Sequence, residues 1–238
     1  MIKTKKISYT NGQDIFQGVV AWDSSSQAKR PAVLVAHAYF GQLQFEEEKA
    51  IALAEIGYVG FAIDMYGKGK RASSPEEARS LMGELNANRA ELLARIQLGL
   101  KTAQEFELTN PTKMAAIGFC FGGKCVLDLA RSGENLKGVA SFHGIYDKPE
   151  LNQNTPIKAA VLVFHGWEDP LATPKQTVAL AQELTERNAD WNICAYGHTG
   201  HAFTNPNANS PETGMLFNKK STNRSWRSLT NFLAELFE

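Results

Sequence analysis

Short apolar runs alternate with helical patterns along most of this 238-residue chain, and that alternation restricts its fold more than any other feature. Residues 32–36 form an uninterrupted apolar run, which is typical of a strand buried on both faces of a parallel sheet. Helix formers follow at residues 46–55, and Gly57 then ends the helical pattern. The same criteria predict further strands at residues 58–63, 113–119, 136–142, 159–164 and 191–196, and further helices from Ser74 and at residues 92–106, 122–131, 173–186 and 221–237.

Two segments precede this alternation. Residues 2–9 and 15–22 carry β-branched and aromatic residues and predict an antiparallel pair of strands. Strands that alternate with helices predict an α/β fold, with a doubly wound, mostly parallel sheet and helices on both faces. No linker, repeat or low-complexity tract interrupts the chain, so we expect a single domain over residues 1–238.

Charge and composition exclude several classes of protein. The 25 basic residues are balanced by 25 acidic ones, so the chain lacks the basic surface that binding to nucleic acid or an anionic membrane requires. A hydrophobic content of 43% excludes general disorder, and three cysteines are too few for a disulfide framework. We therefore expect a soluble cytoplasmic protein, a monomer or homodimer, with no nucleic-acid or membrane partner.

A Gly-Phe-Cys-Phe-Gly-Gly motif at residues 118–123 joins a predicted buried strand to a predicted helix. Glycines must flank the central residue of so sharp a turn, because side chains there would collide with neighbouring backbone. The turn would raise the Cys120 thiol above the sheet at a helix N-terminus, where backbone N–H groups favour the thiolate. Cys120 is therefore the candidate nucleophile.

Two other interpretations of this segment stay open. Free cysteines are often buried for packing alone, so Cys120 could be structural, in a non-catalytic thiol sensor or binding module. Residues 118–124 also match the spacing of a phosphate-binding loop, although Cys125 stands where that loop needs a hydroxyl for Mg²⁺. The second alternative is therefore a nucleotide-binding protein.

A base and an acid for the thiol follow the last two predicted strands. Ligands of open α/β sheets bind at the carboxyl ends of the strands, and His201 and Asp169 both lie beyond such ends. The chain order Cys120, Asp169, His201 is the nucleophile–acid–base order of α/β-hydrolases. His201 would take the thiol proton while Asp169 fixes its tautomer. Glu168 is the rival acid, and Asp169 is preferred because its shorter side chain is held before Pro170.

The other histidines have simpler interpretations. His37, His143 and His165 each end a predicted strand, where histidines are usually hydrogen-bonded rim residues. His198 and His201 have the spacing of a metal-binding pair, but no acidic cluster completes a ligand set. We therefore expect neither a metal nor a cofactor.

Signature segments are spread over almost the whole chain, at residues 33–41, 57–67, 118–123, 165–169 and 200–203. Together they resemble the dienelactone hydrolase family of the α/β-hydrolase superfamily. The resemblance implies a carboxylic ester hydrolase with a Cys120–His201–Asp169 triad and an oxyanion hole made by the backbone N–H groups of Phe121 and Tyr39. Cys120 would attack an ester or lactone carbonyl, and water activated by His201 would hydrolyse the resulting thioester.

Two departures from that family bear on the substrate. Ala38 stands where the founding enzymes carry a glutamate that contacts the resting thiol, so we expect Cys120 to depend directly on His201. The arginines that bind anionic lactones in the family are also missing, and Lys68 is the one candidate cation that remains. These differences favour a small neutral ester or lactone.

The segment at residues 144–156, where many α/β-hydrolases insert a cap, is a short polar loop, so we expect an open cleft without a large cap. Aromatic residues flank the triad positions and would line this cleft, although the same side chains could belong to the core. Such a cleft suits aryl or alkyl esters, and an activated thiolate could also attack phosphotriesters as a side activity. The expected pocket residues are Phe40, Tyr66, Lys68, Trp167 and Phe203.

Overall fold

The structure is a computed structural model that describes residues 1–238, with ten strands and six α-helices. The strands are β1 (Ile2–Thr10), β2 (Ile15–Asp23), β3 (Arg30–Ala36), β4 (Val59–Ala62), β5 (Thr109–Phe119), β6 (Gly138–Phe142), β7 (Ala160–Gly166), β8 (Trp191–Tyr196), β9 (Asn209–Ser210) and β10 (Met215–Leu216). The helices are α1 (Gln44–Glu55), α2 (Pro75–Ala87), α3 (Arg89–Glu105), α4 (Phe121–Arg131), α5 (Pro174–Glu186) and α6 (Lys219–Phe237).

Eight of the strands form a sheet in the order β1-β2-β4-β3-β5-β6-β7-β8. β2 is antiparallel to both β1 and β4, whereas β3 runs parallel to β4, and β7 runs parallel to both β6 and β8. The predicted α/β fold with a mostly parallel sheet and an antiparallel pair at its start is confirmed. None of the helices is long and apolar enough to cross a membrane.

The chain divides into two compact units, Met1–Ile117 and Gly118–Glu238, which are described one after the other. The single domain expected over residues 1–238 stays a prediction. The first unit contains β1–β4 and α1–α3, and α2 and α3 begin at side-chain caps. Ser74 Oγ accepts the backbone N–H of Glu77 at the start of α2, as its sequence predicts.

The loop after β4 is organised by one buried carboxylate. Asp64 lies at the carboxyl end of this strand, and its two oxygens accept backbone N–H groups at distances of 2.9–3.1 Å. A buried carboxylate with this many donors is satisfied without a ligand, so Asp64 shapes the loop. The donors are the N–H groups of Gln17, Tyr66, Gly67 and Gly69.

The second unit contains the parallel strands β6, β7 and β8 with α4, α5 and α6. Every residue of α4 is buried, and the helix ends at Arg131. The Arg131 guanidinium lies 2.8 Å from the Glu183 carboxylate on α5, which also pairs with Arg187 at 3.2 Å. The two guanidinium groups also donate to backbone carbonyls of the loop at residues 144–156, namely those of Tyr146, Asp147, Asn152 and Thr155.

Some helices begin earlier than predicted, because a capping side chain, rather than the first apolar residue of the pattern, fixes the start of the helix. Helix α3 begins at Arg89 because Asn88 Oδ1 accepts an N–H of the first turn, and α6 begins at Lys219 because Asn218 does the same. Strand β5 begins at Thr109, four residues before the predicted start, and continues through a proline at 111. Strands β9 and β10 have two residues each, too few for a period to be visible in the sequence.

Candidate active site

The junction of β5 and α4 is a strained turn with Cys120 at its apex. Cys120 has φ 53° and ψ −112°, a left-handed conformation that costs a non-glycine residue about 1–3 kcal/mol. A Cβ at Gly118 would collide with the carbonyl of Gly122, and a Cβ at Gly123 would lie 2.7 Å from the Cα of Gly144. Backbone contact therefore requires glycine at 118 and at 123, and the requirement at 118 agrees with the prediction from the motif.

The Cys120 backbone is tied to the neighbouring strand, and its side chain retains a small exposed surface. Its N–H donates to the carbonyl oxygen of Phe142 at 3.0 Å, and its own carbonyl accepts the N–H of Lys124 in the first turn of α4. The residue is 8% exposed. The thiol therefore sits at the N-terminus of α4, in a residue that is largely but not fully enclosed.

His201 and Asp169 form a buried pair. Nδ1 of His201 lies 2.8 Å from Oδ2 of Asp169, and both side chains are almost fully enclosed. Oδ1 of Asp169 accepts the N–H groups of Leu171 and Ala172 at 2.8 and 3.2 Å. The carboxylate is thereby fixed, and Nδ1 is the ring nitrogen that carries a proton toward it.

The His201 ring also lies close to the Cys120 side chain. Nε2 is buried and has no partner with hydrogen-bond geometry. Burial alone would lower the pKa of His201, but the neighbouring Cys120 side chain and the Asp169 carboxylate raise it from 6.5 to about 10. The site therefore favours an imidazolium form of His201 at neutral pH.

Glu168, the rival acid, and His198, the other histidine of the His-x-x-His spacing, form a separate exposed pair. Glu168 is exposed and pairs with His198 at 3.2 Å, whereas Asp169 pairs with His201. The two histidines therefore engage two different carboxylates and do not converge on one point. The preference for Asp169 over Glu168 as the partner of His201 agrees with this geometry.

The three strand-end histidines are buried and hydrogen-bonded. In the first unit, His37 Nε2 accepts the N–H of Met65 at 3.1 Å, and burial lowers the pKa of His37 to about 4. In the second unit, His165 Nδ1 lies 3.2 Å from the Tyr146 hydroxyl. His143 Nε2 lies 2.7 Å from Thr204 Oγ1. The expectation of hydrogen-bonded rim residues holds for all three.

The structure does not support a phosphate-binding loop at residues 118–124. Lys124, which would have to reach a phosphate, is buried and lies 2.9 Å from the Asp147 carboxylate. Gly123 packs directly against Gly144 and the Ser141 hydroxyl, so the backbone has no space to wrap a phosphate group.

The expected pocket residues of the second unit have different environments. Trp167 is 47% exposed, and its ring packs edge to face against His165. Phe203 is fully buried, with ring centroids 5.1 Å from His143 and 5.7 Å from Tyr196. Phe203 therefore does not line a cleft in this structure, because it packs against His143 and Tyr196 as part of the core.

The expected pocket residues of the first unit are held by their neighbours. Tyr66 is buried, and its hydroxyl donates to the carbonyl oxygen of Tyr39 at 2.7 Å, while the ring of Phe40 packs against Tyr39. Lys68 lies 3.8 Å from Asp14 on the surface. The cation expected to remain for an anionic substrate therefore already has an acidic partner.

One buried acid in the first unit, Glu46, is not among the residues predicted from the sequence. The Glu46 carboxylate accepts the backbone N–H of Ala38 at 3.2 Å and that of Leu43 at 2.9 Å. Burial raises the pKa of Glu46 from 4.5 to about 7. Its place in the first turn of α1, three residues after the helix cap, is the sequence signal that could have identified it.

Known proteins resemble this chain over most of its length. The chain shares 33% identity with a solved structure named m3DLH, covering 100% and 99% of the two chains with a TM-score of 0.94. It shares 31% identity with a dienelactone hydrolase-like promiscuous phosphotriesterase from metagenomic libraries, covering 100% and 99% with a TM-score of 0.95. Among curated proteins, it is 27% identical to one from Aquifex aeolicus named as a candidate carboxymethylenebutenolidase, over 85% of this chain and 87% of that protein.

A family-wide comparison gives the same assignment. The sequence model of the dienelactone hydrolase family matches residues 16–237. That match covers the fold from β2 to the end of α6 except for Ile15, the first residue of β2. The chain is thus a hydrolase that belongs to the dienelactone hydrolase family.

Proposed function

We propose that this protein hydrolyses small neutral carboxylic esters and lactones through a thioester on Cys120. The observation that carries the proposal is the His201 ring, held by Asp169 on one side and electrostatically coupled to Cys120 on the other. A thiolate beside an imidazolium is both a nucleophile and a proton donor for the leaving group.

In the first half-reaction, the Cys120 thiolate attacks the carbonyl carbon and forms a C–S bond. The backbone N–H of Phe121, the first residue of α4, donates to the oxyanion at the helix N-terminus. The N–H of Tyr39 stays the second donor predicted from sequence. Collapse of the tetrahedral intermediate breaks the C–O bond, and the proton on His201 Nε2 passes to the departing alkoxide.

In the second half-reaction, water hydrolyses the thioester. The now neutral Nε2 of His201 takes a proton from water as the oxygen attacks the carbonyl carbon. Collapse of the second intermediate breaks the C–S bond and releases the carboxylic acid, and the thiolate and imidazolium are restored. Asp169 holds the ring throughout and compensates its positive charge.

The preference for a neutral substrate is supported by the pairing of two lysines. Lys124 and Lys68 are each paired with an aspartate, so neither ammonium is free of an acidic neighbour. Trp167, with its half-exposed ring, is the proposed contact for an aryl or alkyl group. A cytoplasmic location and a monomeric or homodimeric state stay predictions from the sequence.

A phosphotriester side activity has its own support. The structural relative described above is named a promiscuous phosphotriesterase and shares 31% of its sequence with this chain. We propose that the same Cys120 thiolate attacks phosphorus in neutral triesters with good leaving groups, because such substrates also lack charge.

The experiment that tests the function is hydrolysis of p-nitrophenyl acetate by the Cys120→Ala variant. We expect turnover to fall by more than about a thousandfold, with an unchanged circular-dichroism spectrum. Cys194→Ser is the matched control, because this second thiol is half-buried on β8 outside the site. Turnover by Cys120→Ala close to that of the Cys194→Ser control would disprove the proposal.

A further inference from the structure

His143 holds an unusual backbone position at the end of β6. Its φ of 37° lies in the left-handed region, where a histidine costs about 1–3 kcal/mol more than in ordinary conformations. The preceding carbonyl, that of Phe142, accepts the N–H of Cys120, and the His143 N–H donates to Phe164 at 2.8 Å. The strained residue is therefore built into the turn that carries the nucleophile.

The His143 side chain bridges this turn and the loop of His201. Its ring centroid lies 5.1 Å from that of His201, with an interplanar angle of 66°, which is an edge-to-face contact. Its Nε2 lies 2.7 Å from the hydroxyl of Thr204, a buried residue three positions beyond His201. The intervening Ala202 also has a positive φ of 56°, a strained conformation that the surrounding contacts must hold in place.

His143 is neutral next to a charged ring. Burial, and then the charge on His201, hold the pKa of His143 well below 6.5. The groups packed against the His143 ring are the Phe119 and Phe203 rings, Thr204 and His201, of which only His201 ionises. A neutral ring beside an imidazolium adds no second positive charge to the site.

We propose that His143 is a positioning residue for His201: its neutral ring packs edge to face against the His201 ring, and its bond to Thr204 fixes the loop that carries His201. The inference rests on the proposed function, in which His201 must stay aligned with Cys120 and Asp169 in both half-reactions. A residue kept only for packing would not need two nitrogen atoms in a strained, buried position, where Nδ1 has no hydrogen-bond partner.

The test compares four variants by two measurements. His143→Ala removes the ring, Thr204→Val removes the hydroxyl at constant shape, and Thr204→Ser restores a hydroxyl. His198→Ala is the matched control, because His198 also has a positive φ of 54° but is exposed and paired with Glu168. The measurements are kcat and KM for p-nitrophenyl acetate, and the pH at which the rate of Cys120 alkylation by iodoacetamide is half-maximal.

We expect His143→Ala and Thr204→Val to lower kcat about 10- to 100-fold with KM within about twofold, because a misaligned base costs rate more than binding. The half-maximal pH of alkylation should rise in both variants, because a displaced His201 imidazolium stabilises the Cys120 thiolate less. Thr204→Ser and His198→Ala should behave as the unmodified protein. If His143→Ala does not fold, the Thr204→Val and Thr204→Ser pair decides the question alone.

Three results would overturn the positioning role. The first is an unchanged alkylation profile in His143→Ala and Thr204→Val, whatever happens to kcat, since a purely structural defect would leave that profile in place. The second is unchanged kcat in both, and the third is an equal loss in Thr204→Ser. Turnover that survives in Cys120→Ala would instead refute the proposed function, and the alkylation profiles would still decide the role of His143.

Discussion

Nδ1 of His201 lies 2.8 Å from Oδ2 of Asp169, and the second oxygen of that carboxylate is held by the N–H groups of Leu171 and Ala172. The carboxylate cannot rotate without losing one of these bonds. The His201 ring is therefore held with Nδ1 toward Asp169, and Nε2 remains for proton transfer to and from the substrate. This contact fixes the orientation of the His201 ring and, together with the Cys120 side chain, raises its pKa.

Replacing Asp169 by Asn should uncouple the ring from its support. The Asn amide has nearly the same shape but no charge, so it stabilises neither the tautomer nor the imidazolium. We expect kcat for p-nitrophenyl acetate to fall by about two to four orders of magnitude. Glu168→Gln, which changes the adjacent exposed carboxylate, should keep nearly full turnover, and equal losses in the two variants would show that Asp169 has no special role.

The pKa of His201, raised to about 10, predicts how turnover depends on pH and leaving group. Below that pH the ring is an imidazolium and can protonate a departing alkoxide, and above it the ring is neutral. For an alkyl ester, kcat/KM should fall about tenfold per pH unit above the pKa, whereas a p-nitrophenyl ester, whose leaving group needs no proton, should lose less. The measurement is kcat/KM as a function of pH for the two esters, after subtraction of the rate measured with Cys120→Ala. A fall for the alkyl ester that begins near pH 6.5 would contradict the raised pKa.

Glu46 should make stability depend on pH. Its pKa is about 7 in the folded protein and about 4.5 when unfolded, so the native state binds more protons between these values. The free energy of unfolding should therefore decrease as pH rises from 4.5 to 7, by up to about 3 kcal/mol. Urea unfolding at several pH values measures this decrease. Glu46→Gln should flatten the dependence, while Glu48→Gln on the exposed side of α1 should not, and a slope that survives in Glu46→Gln would assign it to other groups.

Glu183 should be a large contributor to stability. It is paired with Arg131 and Arg187, and both arginines also bind the loop at residues 144–156. Glu183→Ala leaves two cations without their shared partner, which costs about 3–5 kcal/mol for a buried pair. Thermal unfolding should show a drop in Tm of at least several degrees. Glu76→Ala removes one side of an exposed pair with Arg79 and should have little effect. An equal drop in Tm in both variants would show that the buried pairs of Glu183 with Arg131 and Arg187 do not stabilise the fold.

Much of the fold could be predicted because its signals are local. Apolar runs identify the parallel strands, and the glycines around Cys120 are required by contacts that their spacing already implies. The order of Cys120, Asp169 and His201 along the chain follows from the order of the strands they terminate. Helix boundaries are harder to predict, because caps such as Asn88 and Asn218 are single residues rather than patterns.

The rest depends on contacts between residues distant in sequence. Phe203 has the same sequence signature as a pocket aromatic, and its full burial is set by His143 and Tyr196. The partner of Lys68 is Asp14, more than fifty residues away, so the charge pairing could not be read locally. The edge-to-face contact of His143 with His201 likewise joins the ends of two different strands.

The central claim is that Cys120 carries the acyl group, and the most direct measurement is mass spectrometry of an acid-quenched reaction. Protein mixed with a slowly hydrolysed p-nitrophenyl ester should gain one acyl mass on the peptide that contains Cys120, in step with the release of nitrophenol. The label should be absent from Cys120→Ala and unaffected in Cys194→Ser. Continued turnover with no label, or with a label on a peptide that lacks Cys120, would contradict the thioester mechanism.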